Sequence, residues 1–292
     1  MNLFLESSEP LSLHALASRT ESLVFKPFDG PTQEFTPDPS LAYIEFNIAT
    51  AWPAGITIYG WGIHPNVLAR SYASMFRKLL DYDHRREAND PKLDDRFLGH
   101  VVAVSFPSTP PNGISWRVTD KPAPYIKGVA AIDKKAQGLR RILGEHLTGR
   151  HPWTVSLDAD WILEDAGYAV KLEKGQNPEM SFSPPDFIEA GWEYYPPAQA
   201  PKELKDTFSV DKNRVTKKYK GREVNVLLGG LDGTIHFCGL ALVKYGAEKT
   251  AGIRKVIAAA PGNPVMTAMY ELPILMNKVL AELVVKQKSE VK

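Results

Sequence analysis

From Trp153 to Asp160 the chain alternates apolar and polar residues one for one. Trp153, Val155 and Leu157 fall on one face of an extended strand; Thr154, Ser156, Asp158 and Asp160 fall on the other. The same reading predicts strands over 43–48, 55–60, 125–132, 223–228 and 234–242. A nearly continuous apolar run over 97–106 suits a strand buried on both faces. Residues 168–172 read as a strand pairing with the one that carries Ser156.

Helical spacing appears in four places. Asn66 can cap a helix in which Val67, Leu68, Tyr72, Met75, Phe76, Leu79 and Leu80 share a face, and His84 follows it directly. A second helix starts near Lys134, with Ala136, Leu139, Ile142, Leu143 and Leu147 inward and Gly149 as its stop. Residues 247–260 and 265–286 read as two further helices, the last interrupted by Pro273. Strands and helices do not alternate regularly, so the pattern predicts an α+β fold rather than a doubly wound sheet.

Composition adds boundaries to this pattern. The 23 prolines cluster near 31–39, 107–111 and 178–201. They divide the chain into an N-terminal arm (1–40), a main domain (41–175), a Pro-rich and basic linker (176–222) and a C-terminal β/α region (223–292). A chain of 292 residues with 43% hydrophobic and 24% charged residues can bury a sizeable core. Its net charge of +1 calls for neither nucleic acid nor an anionic membrane as partner. The run 212–222 holds six basic residues and no acid, which reads as a solvated loop or, alternatively, a contact for an acidic surface. The single cysteine, Cys238, fits a reducing compartment, and no secretory leader or membrane-length apolar run is present. No spacing suggests a metal site or a cofactor loop, so none is expected.

The candidate chemistry rests on Ser156 and His84. A serine hydroxyl becomes a competent nucleophile when a base takes its proton, and histidine has the pKa for that task. A third group then orients the imidazole. Each residue also has a plainer account, Ser156 as one polar position on a solvent-facing strand and His84 as a cation at a helix end. For the third group Asp158 comes first and Asp160 second, since both share the face of Ser156. Glu164, Asp165, Glu173, His100 and His151 stay open, and Arg150 is a candidate oxyanion donor. His236 and Cys238 form a weaker Cys–His alternative.

Several features occur in a telling order. They are His84, the pair Leu98-Gly99, the stretch Gly128-Val129-Ala130-Ala131, the 134–147 helix, Gly149, and Val155-Ser156-Leu157. In that order they resemble the prohead proteases of tailed bacteriophages, which are related to the herpesvirus assemblins. The resemblance spans roughly 41–175. It implies a herpesvirus-protease-like β-barrel flanked by helices, with the C-terminal β/α region added. It implies a serine endopeptidase with Ser156 and His84 as catalytic pair and Asp158 or Asp160 as the third member. Scaffold and major capsid proteins would be its substrates, self-association and self-cleavage included, inside the assembling prohead in the host cytoplasm. A non-catalytic virion or scaffold protein that keeps this fold is the alternative.

Overall fold

The computed structural model describes residues 23–82, 97–139 and 153–257, apart from 30, 31, 36, 37, 39, 135, 137 and 138. Fifteen strands dominate it: β1 Leu23–Phe25, β2 Gln33–Phe35, β3 Leu41–Thr50, β4 Trp61–Ile63, β5 Leu79–Tyr82, β6 Phe97–Ser105, β7 Tyr125–Asp133, β8 Thr154–Asp160, β9 Gly167–Lys171, β10 Trp192–Tyr195, β11 Phe208–Ser209, β12 Arg214–Val215, β13 Val224–Leu228, β14 His236–Val243 and β15 Gly252–Ile257. Three short helices join them among the described residues, α1 Pro65–Ser71, α2 Pro185–Glu189 and α3 Lys202–Lys205. The fold is mixed α+β with strands in the majority.

Seven strands form one sheet in the order β15-β3-β7-β6-β5-β14-β8, antiparallel except where β5 meets β14. This sheet curls into a nearly closed barrel. Its two terminal strands approach at Gly252, where a Cβ would lie 3.7 Å from the carbonyl oxygen of Trp153. The side chains of Ile44, Phe46, Val101, Ile132, Leu80 and Leu240 fill the interior and are all fully buried. Burying each such side chain contributes about 1.5–3 kcal/mol. Outside the barrel, Phe25 of the β1–β2 hairpin packs on Tyr43, Val129 and Ala131. A second sheet, β10-β9-β13-β4, carries its own aromatic cluster around Trp52, Phe187 and Trp192. Residues from 176–222 build β10, α2, α3 and the β11–β12 hairpin, and β14 and β15 complete the barrel that β3 begins.

Several elements differ from the sequence-based expectation, each for a local reason. The helix after residue 64 is capped by His64, not Asn66, with Pro65 in its first turn. It tightens into a 3-10 turn over Tyr72–Met75 and stops. Arg77 then takes a left-handed backbone conformation (φ 63°), and its N–H donates to Val101 O at 2.9 Å. The chain therefore continues as strand β5, so Leu79 to Tyr82 are not the end of a helix. Residues 55–60 form a turn rather than a strand; Gly55 there packs so tightly that a Cβ would meet Thr50 O at 1.9 Å. Strand β6 has buried residues on both faces, Val101 in the barrel and Ala103 in the outer cluster with Phe25, while His100 is exposed and Val102 and Val104 are half-buried. Strand β9 pairs with β10 and β13, not with the Ser156 strand. Residues 252–257 are strand β15, not helix, because Ile253 and Val256 find β3 partners in Phe46 and Ile44. The expected helices over 134–147 and 265–286 fall largely or wholly outside the described residues.

Candidate active site

Strand β8 has the expected alternation. Trp153 and Val155 are buried, Leu157 packs against the core, and Thr154, Ser156 and Asp158 are half-buried on the other face. Opposite β8 on β14, Ser156 pairs with Ala241, Asp158 with Gly239 and Asp160 with His236. A strand rises about 3.3 Å per residue, so Asp160 stands about 13 Å along from Ser156 and Asp158 about half that. Asp160 is exposed and hydrogen-bonds the Cys238 thiol. It belongs to the far end of the strand.

His84 and His151 lie outside the described residues, as does Arg150. His100 occupies the row His100–Leu79–Gly239–Asp158, three strand spacings or about 14 Å from β8, too far to touch Ser156 directly. Glu164 and Asp165 sit in a 3-10 turn after β8, and Glu173 follows β9 of the second sheet. The Cys–His alternative fails on geometry. Cys238 sits at a β-bulge and its thiol donates to the His236 carbonyl at 3.6 Å, while His236 Nε2 lies 3.0 Å from Lys78 Nζ. Burial, then the hydrogen bond to Asp160, pushes the thiol pKa up, the reverse of what a thiolate nucleophile needs.

Ser156 lines a recess at the seam of the barrel, where β8 faces β3 and the chain leading into β15. Ile48, Val155, Leu157, Ala247 and Ala251 supply its apolar walls. Thr57, Trp61 and Glu248 share it with Ser156. The recess measures about 240 Å³ to its open mouth, below the ~300–1,000 Å³ of pockets that engulf a drug-sized ligand.

Glu248 is the group that the sequence did not announce. Its side chain is buried, with 8% of the residue exposed. Oε1 accepts from the Thr50 backbone N–H at 2.8 Å and from the Thr250 hydroxyl. The Thr50 side chain hydrogen-bonds the carboxyl as well. Burial pushes its pKa up to about 7, against the opposing pull of those donors. Around it, Asn47 Nδ2 donates to Thr50 Oγ1 at 3.0 Å and to Thr250 O at 2.8 Å, tying β3 to the β15 approach. Thr57 bridges to Glu248, and Ile58 N–H donates to Ala247 O at 2.8 Å, tying in the 55–60 turn. Trp61 Nε1 is buried and has no partner among the described residues.

Compared with protein-family models, curated proteins and solved structures, the chain gives no significant match in any of the three. The site must be read from its own geometry. Half-buried Ser156 and Glu248, whose carboxyl pKa is pushed up to about 7 by burial, line one small, partly apolar recess, and no metal-holding cluster of His, Cys, Asp and Glu occurs among the described residues. Such a site can support nucleophilic and acid–base chemistry.

Proposed function

We propose that this chain is a serine endopeptidase of the prohead-protease type, with Ser156 as nucleophile and His84 as its base. The observation that carries the reading is cross-strand register. Strands β5 and β8 flank β14, so Tyr82 and Val155 pair with the same residue, Leu242. Two strand spacings, about 10 Å, separate them. His84 follows two residues after Tyr82 in the chain. The barrel-like sheet suits the assemblin-like architecture that the sequence motifs imply.

In the reaction, His84 takes the Ser156 proton as Oγ bonds to the scissile carbonyl carbon. The C–N bond breaks, the leaving amine receives that proton from His84, and an acyl-enzyme remains for water to hydrolyse. Asp158, two residues from Ser156 on the same face, is the first choice for orienting the imidazole, ahead of Asp160. The substrates are scaffold and major capsid proteins of an assembling head, the protease itself among them. The small size of the recess favours a second reading, a shell or scaffold protein that keeps the fold without activity. Co-expression with the cognate capsid and scaffold proteins decides between them. Ser156→Ala and His84→Ala each abolish cleavage under the first reading; under the second, the unaltered chain cleaves nothing.

A further inference from the structure

The proposed acyl-enzyme needs a water and a group to take its proton, and the recess offers both a place and a residue. Resting on the assignment of Ser156 as nucleophile, we propose that Glu248, rather than His84, is the base that activates the hydrolytic water. Ser156 and Glu248 line one half-open recess with room for about one water, so a water seated there lies near both residues. The Glu248 carboxyl is held in place by the Thr50 N–H and the Thr250 hydroxyl, both on Oε1, and by the Thr50 side chain. Trp61 Nε1, buried in the same neighbourhood without a partner among the described residues, needs an acceptor, which a water oxygen supplies. Among the described residues, the remaining walls carry no titratable group, and the adjacent Lys249 is exposed. A pKa near 7 suits a base that works at neutral pH.

The step balances. The water oxygen bonds to the acyl carbon as Glu248 carboxylate takes one water proton. The tetrahedral intermediate then breaks the C–Oγ bond, and Ser156 Oγ receives the proton from Glu248. The free acid leaves, and the hydroxyl and carboxylate are both restored.

The test uses the full chain and p-nitrophenyl acetate, with intact-mass detection of the acetyl-enzyme and mapping to Ser156. Glu248→Gln is expected to acetylate as the unaltered protein does and then to lose its acetyl group ~10²-fold or more slowly. Thr250→Val removes a donor that favours the carboxylate, so the pH midpoint of deacetylation is expected to rise. This second variant stands by itself if Glu248→Gln does not fold. Unchanged deacetylation in Glu248→Gln, or an unmoved midpoint in Thr250→Val, overturns the role of Glu248 while leaving Ser156 as nucleophile. If the unaltered protein never acetylates at Ser156, the nucleophile assignment fails and this role fails with it.

Discussion

Ser156 and Asp81 lie in one cross-strand row, paired with Ala241 from its two sides. Directly paired residues share a face of the sheet, so the nucleophile candidate and a buried carboxyl stand on the same side, two strand spacings apart. The row exists because Arg77 turns the chain out of its helical course and sends 79–82 into the barrel as a strand parallel to β14. A helix over the same residues would break the row.

The Leu98-Gly99 pair has a packing reason of its own. A Cβ on Gly99 would sit 1.9 Å from the Ala131 carbonyl oxygen, and backbone cannot yield as a side chain can. At Gly128 the first obstacle, at 2.4 Å, is the Ile48 Cδ1 methyl, the end of a flexible side chain. Gly99→Ala is therefore expected to lose about 3 kcal/mol or more and Gly128→Ala about 1–2 kcal/mol, read as a larger drop in urea midpoint for Gly99→Ala. Equal losses would mean that β6 and β7 are not so closely apposed.

That comparison marks what the sequence carries and what it hides. Period-two alternation made β8 legible, and the apolar runs of β3, β6, β7, β13 and β14 likewise need only local sequence. Strand β15 was illegible because Ile253 and Val256 at near-helical spacing mimic a helix, and only pairing with β3 some 200 residues earlier decides otherwise. Glu248 was hidden for the same reason. It is one acid between Ala247 and Lys249, and its environment comes from Thr50 and Asn47, far off in sequence. The sole local hint was the run from Gly246 to Gly252, whose small and polar residues have no apolar period.

Two buried groups should oppose one another in the pH dependence of stability. Burial, with a smaller contribution from Arg70, lowers the His64 pKa from 6.5 to about 3. The unfolded chain then binds more protons than the native one between those values, so stability falls as pH drops from 6.5 towards 3. Glu248, raised from 4.5 to about 7, acts in reverse, and its native state loses advantage as pH rises through that window. Fully developed, the effects are on the order of 5 kcal/mol for His64 and on the order of 3 kcal/mol for Glu248. Between pH 4.5 and 6.5 their slopes cancel. Glu248→Gln should turn this plateau into a rise with pH, and His64→Asn, which keeps a helix cap, should turn it into a fall. Urea midpoints across pH measure both, and parallel profiles for all three proteins would refute the assignment.

In the second sheet, Arg222 Nη1 meets Glu193 Oε1 at 2.6 Å, with side-chain exposures of 3% and 0%. Glu193 Oε2 also accepts from the Glu179 and Met180 backbone N–H groups. Arg222→Met leaves a buried carboxylate without its cation and should cost about 3–5 kcal/mol. The exposed Arg117–Glu189 pair, at 2.8 Å, should contribute less than about 1 kcal/mol when broken by Arg117→Met. Chemical denaturation of the two variants side by side checks the contrast.

Under the proposed function, Ser156 is an activated nucleophile. Treating the purified chain with a fluorophosphonate and mapping the adduct by peptide mass spectrometry tests this. A single adduct on Ser156, absent in Ser156→Ala and strongly slowed in His84→Ala, is the predicted result. No adduct, or an adduct on another residue with Ser156 unmodified, would contradict it.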